Sequence, residues 1–530
     1  MAPPPAQDAA SGKPFKRSRK VVVDVSLCRY AIIKRCLKDR DFRLVRAKKS
    51  DVEWDIWWSD RGELLKDARR LNAFQKVNHF PSMEDICRKD FLANNLYTFV
   101  AHPPILYLIA HHRNAMRKLL PDEYDFFPRS FLVPAERVEL QQCMDNDKRG
   151  ATYIHNPLLI DGFKFDLRIY VLVVSVDPLV VYVFRNGLAR FCTTPFQAPK
   201  RSNLHQTRMH LTKYTLDHVI TQSITSSRNR SRHHSYAINK KSKDFVKSVD
   251  ESTGSKRSLA FVMQHLQDDH GMDPCAVWAD VCDIVLKTLL AIQPRLAASY
   301  RNFFGADDVK GRQWGPAAFE ILGFDIMLDE QGKAWMVEVN HAPSFAGTRQ
   351  RCSRNLSESD GYGVGDSVLD RNIKTPLIAQ ALDILAVTNE TKRSFQAAWK
   401  TRLWNATVAT KKAKGVLVEP PPPVVEPQVV ELAEEDAVEP IDNDGGGSGP
   451  SEDEKEDDDT PAKAKTSSSN RVHPDSTTNT DDNNQGREME TFGNTYELIY
   501  PPPAYSSTAL HVKYARILAA ADTNRSKLWG

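Results

Sequence analysis

The run Phe163-Lys164-Phe165-Asp166-Leu167-Arg168-Ile169-Tyr170-Val171-Leu172-Val173-Val174-Ser175-Val176 constrains the fold of this chain more than any other. Its β-branched and aromatic content reads as a strand, and the apolar stretch from Ile169 onward has to be embedded in a sheet. A second strand, Val180 to Arg185, follows through Asp177-Pro178, turn chemistry that joins neighbouring strands. In the first half of the run Lys164, Asp166 and Arg168 alternate with apolar residues, so the two-residue strand period sends all three to one face. That face is expected to be wet, with its charges emerging beside a buried region. Fixed cations there suit a polyphosphate. A half-exposed strand with a solvated face explains the same pattern, and the run by itself leaves both readings open.

The rest of the chain supplies elements to surround that sheet. A Pro-, Ala- and Lys/Arg-rich arm over 1–19 reads as disordered and basic, and Val21 to Val25 opens the fold as a strand. Cys28 to Asp39 suits a helix, Val52 to Trp58 a strand and Met83 to Leu96 a helix, while 259–271 and 277–302 carry helical apolar spacing. Phe319 to Leu328 and Ala334 to Val339 read as strands joined by the polar turn Asp329-Glu330-Gln331-Gly332-Lys333, an antiparallel hairpin. Such alternation is an α/β signature, and 530 residues leave room for one large multi-lobed domain over 20–390 with segments appended to it.

Those appended segments differ in composition. Residues 391–414 set Lys392, Arg393, Lys400, Arg402, Lys411 and Lys412 around Phe395, Trp399, Leu403 and Trp404, a basic amphipathic helix. Residues 415–490 turn to Pro, Glu, Asp, Gly, Ser and Thr, with an acidic run from Ser451 to Asp459, and read as a disordered acidic linker. Order returns in a C-terminal segment over 491–530, with Tyr496 to Pro501 and a short helix from His511 to Ala520. The net charge of +4 therefore hides a basic body and an acidic stretch. Eight cysteines without a CxxC pair argue against a zinc site or a disulfide framework and for reduced, buried thiols. Without an apolar leader or a membrane-length apolar run, a cytoplasmic protein is expected. No nucleic-acid-binding module is recognisable.

A second constellation sits on the late hairpin. Folding it about its polar turn brings Asp325 nearly opposite Glu338, with Asn340 two residues further along the same face. An all-oxygen set of this kind suits Mg²⁺, and two crowded carboxylates would repel each other without a cation. A pair of exposed acids at a sheet end is the alternative.

Several ordered motifs now add a resemblance. Asn78-His79-Phe80-Pro81, Ile86-Cys87-Arg88-Lys89-Asp90, Tyr124-Asp125-Phe126-Phe127-Pro128, the run Pro157 to Arg168, Met209-His210-Leu211-Thr212, the run Phe319 to Asp325 and Val337-Glu338-Val339-Asn340 resemble, in that order, the tubulin tyrosine ligase-like family. The resemblance covers roughly residues 20–400. It implies an ATP-grasp fold with ATP and Mg²⁺ as cofactors. Lys164, Asp166, Arg168, His210 and Thr212 would bind nucleotide, Asp325, Glu338 and Asn340 the metal, and Arg168, Arg190 and Glu338 would be catalytic. It also implies the reaction: ATP phosphorylates a side-chain carboxylate, and the amine of a free amino acid attacks the acyl phosphate to form an amide. Asp366 to Asp370, Ile373-Lys374 and Tyr500-Pro501 are most similar to the polyglutamylase branch. Free glutamate and the acidic tails of tubulin or the microtubule are then the expected partners of a monomeric protein. A glycine-adding ligase of the same fold and a catalytically impaired microtubule-binding paralogue are the alternatives. In such a family residues 391–414 would meet the acidic microtubule surface.

The sequence also departs from that family. Between Pro134-Ala135-Glu136 and Tyr153-Ile154 the family carries a Lys-Pro pair and a glycine-rich basic loop that clamp the ATP phosphates, whereas this chain has only Arg137 to Thr152. Lys148-Arg149-Gly150 is too short to rebuild it, so part of the central lobe is expected to be missing. Tyr97 to His112 and Lys213 to Ser235 interrupt the family pattern as additions.

Overall fold

Two sheets of opposite grain organise the computed structural model, which describes residues 18–46, 53–60, 71–86, 116, 119–127, 138, 141–142, 154, 156–200, 202–203, 206–210, 242–246, 252–305, 315–346, 367–413, 493–502 and 508–529. The first holds β1 (Val22–Leu27), followed by α1 (Ala31–Lys38), then β2 (Arg43–Val45), β3 (Ile56–Ser59) and β4 (Lys76–Val77). It is parallel, in the order β2-β1-β3-β4. Val21, Val22, Val23 and Val25 are all buried, as in a parallel sheet covered on both faces. Ile32, Ile33, Cys36 and Leu37 give α1 the apolar stripe that holds it there.

The second sheet is antiparallel and carries the long strands. After β5 (Leu159–Ile160) come β6 (Phe163–Val176) and β7 (Leu179–Phe191), the helical turn α2 (Thr207–His210), β8 (Lys256–Ser258), α3 (Leu259–His270) and α4 (Pro274–Phe304). Then follow β9 (Glu320–Leu328), β10 (Ala334–Asn340), α5 (Val368–Ile384), α6 (Asn389–Ala413), β11 (Tyr496–Tyr500) and α7 (Thr508–Trp529). The order is β10-β9-β6-β7-β11, with β5 beside β6 and β8 beside β7. Local chemistry sets the helix ends: the Ser258 hydroxyl accepts from the Phe261 amide to start α3, and Gly271 closes it at φ 61°. Asp273 caps α4, with Pro274 in its first turn.

The two faces of β6 have different fates. Phe165, Leu167, Ile169, Val171 and Val173 belong to one core with Val281, Val285 and Leu289 of α4 and Ile517 of α7. Tyr170 and Leu172, on the other face, join Ile33 and Leu37 of α1 and Ile373 and Leu377 of α5. Lys164, Asp166 and Arg168 share that second face by strand period. The sheets are joined beside β4: the Val77 amide donates to the Ala317 carbonyl at 2.8 Å, and the Phe319 amide to the Val77 carbonyl at 3.0 Å. There a buried ion pair links His79 to Glu320, Nδ1 to Oε1 at 2.8 Å, and the second Glu320 oxygen accepts the Phe80 amide at 2.9 Å. The His79 Nε2 donates to the Ser59 carbonyl. Burial pushes the imidazole down, but the Glu320 carboxylate overcomes it and the net shift is upward.

Several expectations change in detail. β7 runs to Phe191, past Arg185, because its far half pairs with the charged start of β6. Met83 to Ile86 is a single 3₁₀ turn, and the rest of the helix expected to Leu96 lies outside the described residues. The arm over 1–17, the linker over 415–490 and the additions 97–112 and 213–235 lie outside them too. Lys392, counted above with the basic amphipathic helix, is buried, its ammonium 2.5 Å from Asp55 and 2.8 Å from the Lys20 carbonyl. Burial carries the Asp55 carboxyl up to about 6 in spite of that lysine. Cys28, Cys36 and Cys192 are buried thiols, Cys282 is partly buried and Cys275 is exposed. Among the described residues no helix is long and apolar enough to cross a membrane. The chain divides into one unit of Met1–Trp404 with Thr491–Gly530 and another of Asn405–Glu490, whose described residues are the helical 405–413.

The C-terminal segment is part of the body rather than an appendage. β11 adds an antiparallel edge to β7, with Leu498 opposite Tyr182. Glu497 accepts from Arg185 at 2.9 Å and from the Trp278 indole at 2.8 Å. α7 runs along α4, where Lys513 and the Tyr514 hydroxyl both meet Asp283. Ile517 is fully buried in the main core. Ile517→Ala is therefore expected to lower the stability of the whole body by about 2–5 kcal/mol, read as a shifted but single denaturation transition. A second, early transition confined to the C-terminal segment would contradict this packing.

Candidate functional site

Strand register assembles the site. Arg168 on β6 stands opposite Asp325 on β9, and Asp325 stands opposite Glu338 on β10. Asp166 on β6 stands opposite Arg190 on β7, and Arg190 opposite Lys256 on β8. Registered neighbours put their side chains on the same face, so a row of charge crosses the sheet. Arg168 binds Asp325 through Nε to Oδ1 at 2.6 Å and Nη2 to Oδ2 at 3.2 Å. Arg190 grips Asp166 through two parallel bonds, at 2.6 and 2.7 Å, and its Nη2 also lies 2.8 Å from Asp325 Oδ2. Asn340 reaches over both acids, its amide nitrogen 3.3 Å from Glu338 Oε1 and 3.5 Å from Asp325 Oδ2.

The expectation of a wet charged face is corrected here. Lys164 and Asp166 are 3% and 2% exposed, and Asp325 is 2% exposed. Asp166 and Asp325 persist at this depth because each meets an arginine across the sheet. Burial by itself would raise the Asp325 carboxyl, but the guanidinium groups of Arg168 and Arg190 hold it well below the usual carboxylate range. Lys164 goes the other way: burial lowers its ammonium from the usual 10.5 to about 8, against the opposing pull of Cys192 and Asp166. Its ammonium lies 5.9 Å from the centre of the Phe196 ring, and the His210 ring stands edge-on 6.3 Å away from that same ring. His210 donates to the Asn203 carbonyl through Nε2, while its buried Nδ1 meets no partner among the described residues. Thr212 lies outside them.

One positioning residue was not singled out in the sequence. Gly323 precedes Asp325 by two on β9, and a Cβ there would come within 3.1 Å of the Arg168 Cδ and 3.0 Å of the Pro343 Cβ. Its bare backbone lets the Arg168 side chain lie close against β9 as it reaches Asp325. A glycine inside an otherwise apolar strand was the available signal, since it marks a close approach. A second set, Lys256, Asp370 and Lys374, borders the row beside Arg190, with Lys256 2.7 Å and Lys374 2.6 Å from the Asp370 carboxylate. The i,i+4 spacing of Asp370 and Lys374 was its sequence signal.

The residues present fit a hard divalent cation. Asp325 and Glu338 supply two carboxylates on registered positions, and a half-turn of the Asn340 amide presents a third oxygen to the same point. Lys164, Arg168 and Arg190 balance Asp166, Asp325 and Glu338 charge for charge, so a metal bound there would tip the site toward anions. The unpartnered, buried His210 nitrogen near the Lys164 end is a polar position for a bound ligand to satisfy.

Residues 151–237 and 221–358 match the model of the Tubulin-tyrosine ligase family. All nine expected site residues fall within that span. The chain is 33% identical over 437 residues to human tubulin polyglutamylase TTLL13, covering 76% of this chain and 46% of the relative. It is 33% identical over 414 residues to mouse tubulin polyglutamylase TTLL6, covering 72% and 42%. A probable beta-tubulin polyglutamylase of Tetrahymena thermophila is 29% identical over 435 residues, covering 75% and 31%. The chain thus spans less than half the length of these curated relatives.

Two outcomes test the geometry without any ligand. Gly323→Ala crowds the Arg168 side chain and Pro343, which must give way slightly, and is expected to cost about 1–3 kcal/mol in chemical denaturation, whereas an unchanged midpoint would mean that the Arg168–Asp325 pair tolerates a Cβ there. For Lys164 the folded chain holds fewer protons than the unfolded chain between pH about 8 and 10.5, so its contribution to stability rises with pH across that window and is lost as pH falls through about 8. The stability of the wild type relative to Lys164→Met should climb over that range, and a flat difference would show an ordinary, solvated lysine.

Proposed function

This chain belongs to the tubulin-tyrosine ligase family, and from that premise we propose that it is an ATP- and Mg²⁺-dependent ligase adding glutamate to side-chain carboxylates of acidic tubulin tails. The observation that carries the reading is the Asp325, Glu338 and Asn340 oxygen set, held in register against Arg168 and Arg190. Its fold is ATP-grasp-like. Bound Mg²⁺ and ATP supply the phosphoryl group that activates an acceptor carboxylate and the positive charge that offsets it. Asp325, Glu338 and Asn340 hold the metal. Arg168 and Arg190, already pre-ordered by Asp166 and Asp325, offer fixed cations to developing negative charge and pay no reorganisation at the moment of transfer. Lys164 and His210, with Thr212, form the nucleotide side. The amine of free glutamate then displaces phosphate from the activated carboxylate, and an amide bond forms.

The acceptor reading draws on the relatives, each named as a tubulin polyglutamylase. Arg393, Lys400 and Arg402 are exposed on α6 together with Leu403 and Trp404, a mixture of cations and apolar surface suited to the acidic microtubule. We place the protein, as a monomer, on the cytoskeleton and at cilia or basal bodies. Arg137 to Thr152 takes the place of the family's phosphate clamp. That shortening favours a second reading, a microtubule-binding relative with weak catalysis.

Incubation of the purified chain with microtubules, ATP, Mg²⁺ and labelled glutamate decides between them, with mass spectrometry of the tubulin tails as the readout. Glutamate addition is expected, and Glu338→Gln should reduce it by about 100-fold or more while leaving the melting temperature within a degree or two. Microtubule binding without any glutamate addition by the wild type would favour the second reading.

A further inference from the structure

The ligase reading leaves one charged group beside the site unused. Lys256 stands directly across from Arg190 in the β7–β8 register. It shares the Asp370 carboxylate with Lys374, and Lys374 is committed further to the Ala346 carbonyl at 3.0 Å. Asp370 itself is fixed at the start of α5, where its amide donates to the Ser367 hydroxyl at 3.1 Å. Two ammonium groups on one carboxylate leave a surplus positive charge next to Arg190, whose own guanidinium is occupied by Asp166 and Asp325. The side chains of Asp370 and Lys374 are 3% and 4% exposed, whereas that of Lys256 is 23% exposed, so the surplus surfaces at Lys256. Among the described residues its ammonium meets Asp370 alone, and an ammonium offers three donors. A cation that is oriented by a buried carboxylate, has donors to spare and sits one strand from the arginine row is suited to an incoming carboxylate.

We propose that Lys256 receives the side-chain carboxylate of the free amino-acid co-substrate, with Asp370 and Lys374 as positioning residues, and so sets the preference for glutamate over a neutral amino acid. The inference rests on the ligase reading for the identity of the co-substrate. Glutamate differs from glycine by that one carboxylate, and a polar group left unpaired in a built site discriminates more strongly than a missing methylene does. Asp370 holds the lysine against the arginine row, so the ammonium needs no reordering when the ligand arrives.

The test uses the full chain with Mg²⁺ and a non-hydrolysable ATP analogue, titrated with labelled glutamate and, in parallel, with glycine. Lys256→Met is expected to weaken glutamate binding about tenfold or more, to leave the weak binding of glycine and the affinity for the nucleotide analogue within about twofold, and to narrow the preference accordingly. Lys256→Arg, which keeps the charge, should restore most of it. In turnover the loss should fall on the KM for glutamate rather than on kcat. Equal glutamate affinity in Lys256→Met and wild type overturns the proposal, as does a wild type that binds no glutamate. A parallel loss of nucleotide affinity and melting temperature in both variants overturns it too, because that marks a structural role. Ligation of glutamate by the wild type with an unchanged KM in Lys256→Met would sink this inference alone. Lys256-dependent glutamate binding without ligation to tubulin would uphold it and sink the ligase reading.

Discussion

Everything in the site depends on one carboxylate, that of Asp325, held by two guanidinium groups from two different strands. Arg168 reaches it across the β6–β9 pairing and Arg190 from one strand further, while Arg190 also clamps Asp166. Buried charges of this kind repay their desolvation only when the geometry is good and the remaining donors are satisfied, and removing one partner of such a pair costs about 3–5 kcal/mol. The sheet provides that geometry because register fixes which side chains oppose each other. A one-residue slip of β9 against β6 would carry Asp325 to the opposite face and leave both arginines without it.

That register is protected from both sides. α4 and α7 cover one face of β6, and α1 with α5 covers the far half of the other, so the strand cannot slide without opening two cores. The parallel sheet is tied to the start of β9 through Val77 and the buried His79–Glu320 pair, five residues upstream of Asp325. On the other edge β11 closes β7, and Gln380 of α5 meets the backbone of Asn494 and Tyr496. Segments far apart in sequence thus bear on the same row of charge. The C-terminal residues are tied to α5, the helix that carries Asp370 and Lys374.

Electrostatics follows from this framework. Lys164, Arg168 and Arg190 offset Asp166, Asp325 and Glu338, while Lys256 and Lys374 exceed Asp370 by one charge, so the site is mildly cationic before any metal binds and a divalent metal would make it receptive to polyphosphate. Lys164 is the soft member of the set, desolvated enough that its charge is lost more easily than that of an exposed lysine. Arg168 and Arg190 keep theirs, as their carboxylate partners raise them further above the ordinary guanidinium range despite burial.

The amino-acid sequence by itself determined the grain of the structure. Strand period placed Lys164, Asp166 and Arg168 on one face, and the polar turn at 329–333 brought Asp325 near Glu338, because both are consequences of local geometry; a β-bulge between Met336 and Glu338 then set the two acids directly opposite. The apolar run after Arg168 required a buried strand for the same reason. What the tertiary structure decided was every relationship between strands that are distant in sequence. No pattern within 163–176 says that Arg168 will face Asp325, 157 positions away, or that Arg190 will bind both Asp166 and Asp325. Nor does composition distinguish Lys392, buried against Asp55, from the exposed Arg393 beside it. Periodicity fixes which way a side chain points along its own element. Which charge it meets, and so whether it is solvated or buried, is set by the packing of elements whose pairing costs chain entropy that only the complete core repays.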